Sequence, residues 1–217
     1  MWDWNYALDI LPDIASALWI TIGATLAGFV LALVLGLIWT LLLQSDNKIL
    51  HAITNGIVSF IRNTPLLVQL YFIFYVFPQF GLTLDPFTAG VIGLGMHYST
   101  YLSEVYRSGI DSVGQDQWEV ATALNFTRRK TWTRIILPQA IPPVIPVIGN
   151  YFITMFKETP LLSAITLVEI LQTAQDIGAG TFRYTEPLTI VGILFLALSY
   201  PASIAIRRLE NKIAARY

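Results

Sequence analysis

The stretch "GIDSVGQDQWEVATALNFTRRKTWTR", Gly109 to Arg134, is the longest polar segment of an otherwise apolar chain. It holds too few apolar residues to cross a membrane, and uncharged runs lie on both sides of it. Its middle predicts a short helix starting near Asp116, with Trp118, Ala121, Thr122 and Leu124 available for a docking face. Asn125 follows, a residue type that tolerates the left-handed backbone found at helix ends. A second, basic helical turn then runs to Arg134. The segment reads as helix, sharp turn, helix, held beneath a membrane by its two neighbours. The same residues also fit a solvated basic loop that satisfies a charge bias and nothing more.

The rest of the chain supplies the membrane. Of its 217 residues 55% are hydrophobic and 12% charged, about half the charged share of a soluble domain. A net charge of −1 implies no nucleic-acid partner. The absence of cysteine excludes disulfides, thiolate metal sites and a cysteine nucleophile; no metal ligand or catalytic residue is assigned. No charge occurs between Asp13 and Asp46, and further uncharged runs lie between Arg62 and Asp85, Asp85 and Glu104, Arg134 and Lys157, and Glu186 and Arg207. Crossing a hydrocarbon core takes about 20 apolar residues. The expectation is an all-α integral membrane protein with five transmembrane helices near 14–43, 64–84, 86–107, 138–157 and 187–206. The third is the most polar, because it contains His97. The first lacks a basic region before it and reads as a retained span, not a signal peptide. One membrane domain over 15–209 is expected, with its polar loop at 110–135, between an outer segment 1–14 and a tail 210–217.

Basic residues set the orientation. Eleven of the 13 (Lys48, Arg62, Arg107, Arg128, Arg129, Lys130, Arg134, Arg207, Arg208, Lys212 and Arg216) fall on one side of a five-span arrangement. That side is therefore cytoplasmic, which puts the N-terminus outside and the C-terminus inside. Only Lys157 and Arg183 fall on the far side. A sixth crossing at Pro160–Ala174 is rejected: the segment is short, contains Glu169, and would invert the tail. In span one Ala24, Gly28, Ala32 and Gly36 make a small-residue stripe for close helix packing, within the chain or against another subunit. Trp2, Trp4 and Trp19 suit the outer interface.

The chain writes Thr-Pro-Leu-Leu twice, in "RNTPLLVQL" from Arg62 and in "KETPLLSAI" from Lys157. Thr-Pro is a helix-start signature, since Thr caps exposed N–H groups and Pro at the first position has none to orphan. At Thr64-Pro65 span two simply begins. At Thr159-Pro160 a helix is expected to restart at the far side of the membrane, with Lys157 and Glu158 at the break. Irregular backbone there needs protein or water against it, so the break reads either as part of a solute path or as an interfacial contact.

The loop carries a resemblance. The chain reads Glu119-Val120-Ala121, three residues, Asn125, nine residues, then Ile135-Ile136-Leu137-Pro138. This is similar to the signature of ATP-binding-cassette importer permeases, with Val120 in place of Ala and Asn125 in place of Gly. "RNTPLLVQL", "YLSEVYRSGI", "LPQAIPPVIPVIGNYF" and "KETPLLSAI" resemble the polar-amino-acid group that serves histidine, glutamine, arginine and opine uptake. The similarity runs from about Ala15 to Leu209. It implies a type I importer transmembrane domain in a bacterial inner membrane. The implied partners are a second permease subunit, identical or similar, a cytoplasmic ATPase dimer and an extracytoplasmic solute-binding protein. Residues 119–124 would be the coupling helix, with Glu119, Val120, Ala121, Leu124, Asn125, Ile135, Leu137 and Pro138 the coupling residues. Some members of this group carry ectoine or other compatible solutes instead.

No Gly-Lys pair occurs in the chain, so a phosphate-binding P-loop is excluded. ATP and Mg are expected on the ATPase partner, and no cofactor in this chain. A zwitterion needs an acceptor for its ammonium and a donor for its carboxylate. The candidates are Tyr98, Ser99 and Glu104 on span three and Tyr151, Thr154, Lys157 and Glu158 on span four. Glu104 also suits an ion pair with Arg107 three residues on, and His97 reads as an interior histidine. An ATP-independent channel or secondary transporter is the rival class. An intramembrane enzyme lacks every motif it would need.

Overall fold

The computed structural model describes residues 2–215; Met1 of the expected outer segment, and Arg216 and Tyr217 of the expected tail, lie outside the described residues. Those described form helices and connecting turns, with no strand among them. Helix α1 runs over Trp4–Leu43, and the Asp3 carboxylate caps it by accepting from the N–H groups of Asn5 and Tyr6. It starts at Trp4 and not near residue 14, because Ala7, Ile10 and Ile14 already pack against α8 (Ile170–Thr181) and α9 (Thr185–Ala214). At 40 residues it is about 60 Å long.

Helix α4, Pro86–Asp111, lies parallel to α1 and starts at a cap made by Asp85. The small-residue stripe faces it. A Cβ on Gly28 would stand 3.1 Å from that of Leu94, and one on Gly36 3.0 Å from that of Leu102. The stripe is therefore used inside the chain. Between these helices come α2 (Lys48–Asn63), α3 (Leu66–Tyr71), a π turn at Phe72–Val76 and a 3-10 turn at Phe77–Phe80. The axis bends by 104° between α2 and the segment 66–80. Beyond α4 lie α5 (Gln115–Ala123), α6 (Arg128–Thr131), a π turn at Trp132–Ile136 and α7 (Leu137–Glu158).

Both π turns end two residues before a proline, Pro78 and Pro138. A proline ring crowds the carbonyl four residues back. The ladder widens there, so that Phe77 N–H reaches the Phe72 carbonyl and Leu137 N–H that of Trp132. Among the described residues, three helical stretches are long and apolar enough to cross a membrane, or four if the bent pair counts as one crossing. Helix α4 has the length, at 26 residues, but His97, Ser99, Thr100 and Ser103 dilute its apolar character.

The expected helix restart at Thr159-Pro160 is absent. Thr159 has helical angles, φ −56° and ψ −28°, and α7 passes into a 3-10 helix, Thr159–Ile165. The Thr159 hydroxyl donates back to the Phe156 carbonyl (2.7 Å) and caps no N–H ahead. The chain turns instead at Thr166, whose φ is +66°, and α8 begins after Glu169, whose carboxylate accepts from Gln172 N–H.

Candidate functional site

Hydrogen bonds close each turn of the loop. At the end of α5, Asn125 takes φ +52°. Its N–H bonds the Thr122 carbonyl and the N–H of Phe126 bonds that of Ala121, both at 3.0 Å. This is the paired arrangement of a glycine-type helix stop, and asparagine reaches it at small steric cost. The Thr127 hydroxyl then accepts from Lys130 N–H and starts α6.

The expected docking face needs correction. Trp118 packs edge-on against Trp132, centroids 5.3 Å apart, over a small core of Val113, Ile136 and Ala140. Ala121 is 1% exposed. These residues hold α5 against the base of α7, and Ile135 joins them. Glu119, Val120, Leu124 and Asn125 point to solvent. Val120 and Leu124 are more than half exposed. They are four residues apart and share one helical face. Bulk at Val120 is therefore presented to whatever docks there. Leu137 and Pro138 lie at the exposed start of α7.

A cleft of mixed charged and apolar lining opens between α4, α7 and the end of α2. Its volume is about 460 Å³, and Arg62, Tyr101, Glu104, Val144 and Tyr151 line it. Glu104 accepts from Arg62 at 3.1 Å and from Arg107. The Arg62 Nε is buried and has no partner among the described residues. Tyr98, Tyr101 and Tyr151 cluster, with ring centroids 5.7–6.2 Å apart. The Tyr98 hydroxyl donates to Glu158 at 2.7 Å.

The fold thus brings Tyr98, Glu104, Tyr151 and Glu158 to one side. Ser99 is not among them. It is fully buried against α1, accepts from the Trp39 indole (2.9 Å) and donates to the Met96 carbonyl. One residue on a helix is about 100° of rotation, so Ser99 cannot share the Tyr98 face. Thr154 is partly buried and spends its hydroxyl on the Asn150 carbonyl, and Lys157 is exposed. His97 is interior and meets the Gln69 amide at 3.1 Å. Arg62 and Tyr101 were missed. Tyr101 lies three residues after Tyr98 on the same face, a spacing visible in the sequence. No local signal brings Arg62 to Glu104, 42 residues away.

Long apolar helices, a braced helix-turn at one end and a charged cleft between helices define a membrane-spanning transport subunit. Residues 28–215 match the family described as binding-protein-dependent transport system inner membrane component. A probable amino-acid ABC transporter permease protein of Sinorhizobium fredii is 40% identical, over 97% of this chain and 91% of the relative. The L-cystine transport system permease protein TcyB of Bacillus subtilis is 38% identical, over 94% and 89%. In a crystal structure of an amino acid ABC transporter with histidines, one chain superposes with a TM-score of 0.92 at 32% identity, covering 98% of this chain and 99% of that one. The MetNI methionine ABC transporter, at 18% identity and a TM-score of 0.68, shares the fold. The chain belongs to this family of ABC importer permeases.

Proposed function

We propose that this chain is the permease subunit of an ATP-driven importer that takes up a polar amino acid or a related small zwitterion. Five crossings place the N-terminus outside a bacterial inner membrane and the C-terminus in the cytoplasm, with α4 as the most polar crossing. A second permease subunit completes the pathway, an extracytoplasmic binding protein delivers the solute, and a cytoplasmic ATPase dimer holds ATP and Mg. The observation that carries this reading is the braced α5. It offers Glu119, Val120 and Leu124 to a partner while Trp118 and Ala121 anchor it to α7. A channel has no use for such an element. In the cleft, Arg62 offers N–H groups to a carboxylate and Glu104 an acceptor to an ammonium.

Transport needs two packings whose balance each ligand biases. A hundredfold shift takes about 2.7 kcal/mol of differential binding, well within what a docked helix transmits. The test is purification from the native membrane, followed by uptake in vesicles. An ABC ATPase is expected to co-purify and uptake to require ATP. Glu119→Arg is expected to abolish ATP-driven uptake while the subunit still inserts. Cargo movement by this chain without any ATPase would sink the reading.

A further inference from the structure

Helix α2 is the most amphipathic element of the chain, and its exposed side is the apolar one. Ile49, Ile53, Ile57 and Phe60 recur every three or four residues, which makes one stripe, and they are 43–73% exposed. Thr54, Val58 and Ile61 form the buried stripe beside them. The remaining arc carries Lys48, His51, Asn55, Ser59 and Asn63 and no carboxylate.

Contacts at its two ends give the level and tilt of α2. At the start, His51 Nδ1 meets the carbonyl of Leu43, the last residue of α1. At the finish, Arg62 meets Glu104 and the Thr100 carbonyl in the lower half of α4. The next segment climbs the other way along α4, from Gln69 beside His97 to Leu70 and Ile73 beside Gly93. That segment runs along the bundle axis. A helix bent 104° from it lies across the axis, at the depth where α1 ends.

The direction of the exposed stripe follows from helix geometry. Ile53 and Arg62 are nine residues apart, two and a half turns, so their side chains point ~180° from each other. Arg62 lines the cleft. Ile53, with Ile49, Ile57 and Phe60 around it, therefore points away from the cleft and, in the reading above, away from a second permease subunit across it.

We propose that α2 lies in the cytoplasmic-leaflet interface of the membrane, with Ile49, Ile53, Ile57 and Phe60 seated among phospholipid acyl chains, and that this seat positions Arg62 at the cleft. An apolar stripe opposite a polar arc free of carboxylates is the pattern of a helix lying in the plane of a membrane surface. The inference rests on the membrane orientation proposed above, but its readout needs neither ATP nor an ATPase.

The cysteine-free sequence makes the test direct. Single variants Ile53→Cys, Ile57→Cys, Phe60→Cys and Asn55→Cys, all at exposed positions, are labelled with a bimane dye. The full-length chain, purified with whatever subunits accompany it, is placed in phospholipid vesicles with brominated acyl chains. For a stripe seated at the acyl boundary, quenching at positions 53, 57 and 60 is expected to exceed that at 55 by about threefold. Aqueous iodide is expected to reverse the order. Equal iodide access on both faces would overturn the proposal. So would disulfide cross-linking of Phe60→Cys to a second copy, which would make the stripe a subunit contact. Loss of ATP-driven uptake with the quenching pattern intact would count against the importer reading and leave this one standing.

Discussion

The two Thr-Pro-Leu-Leu copies start from the same four residues and fold differently. At Thr64-Pro65 the chain breaks by 104°, with Thr64 extended at φ −99° and ψ 131°. At Thr159-Pro160 it continues in helical geometry and only tightens. Both threonine hydroxyls bond back to the preceding turn, to Phe60 and to Phe156, at 2.7 Å, so the Thr-Pro pair does not decide. The residue five places on does. Gln69 sends its amide to the Ile61 carbonyl (2.6 Å) and the Thr64 carbonyl (2.8 Å), serving the acceptors that the break exposes. The second copy has Ala164 there and no such donor.

Burial phase agrees. The first copy buries Leu66, Leu70 and Ile73, an α-helical spacing. The second buries Thr159, Leu162 and Ile165, every third residue, which matches the three residues per turn of a 3-10 helix. Both copies enter one core, where Leu66 and Leu162 belong to the same cluster.

This comparison sets the expected effects. Leu162→Ala is expected to cost about 2–5 kcal/mol, as for a fully buried leucine, measured by thermal unfolding of the purified protein. Leu67→Ala, the matching position of the first copy, is expected to cost much less because Leu67 is only half-buried. Equal losses would mean that the two copies share one burial phase after all. Gln69→Leu strips two carbonyls of their donor, with an expected cost of about 1–3 kcal/mol, and is expected to speed amide exchange around the bend. Thr159→Val is expected to cost about 1 kcal/mol, and Thr64→Val less, since Thr64 is partly exposed.

A pH-dependent effect is expected at the exit from the second copy. Glu169 is fully buried, one oxygen capping Gln172 and the other, Oε2, without a partner among the described residues. Burial pushes its carboxyl up to about 7 from an ordinary 4.5. A raised carboxyl favours the native packing when protonated, so this contribution is full below about pH 4.5 and fades as pH rises through 7. Amide exchange at residues 170–173, corrected for its intrinsic rate, is expected to be slower at pH 5 than at pH 8. Glu169→Gln is expected to remove that difference; a pH response that survives it would assign the effect to another group.

Much of this was readable residue by residue. The uncharged runs announced the membrane class, since charge in lipid is costly and its absence over about 20 residues is visible in the sequence. The stop at Asn125 was legible because a left-handed turn is a local backbone preference. The inward set of Trp118 and Ala121, the loss of Ser99 to α1 and the pairing of Arg62 with Glu104 were not legible. Each depends on which face of a helix meets a neighbour far off in the chain.

Local chemistry in the chain therefore determined that it enters a membrane and how its polar loop turns. Tertiary structure alone decided which serine leaves the cleft and which arginine enters it. Such outcomes follow from contacts between distant segments, because the face a helix turns to a neighbour far off in the chain is not set by the residues beside it.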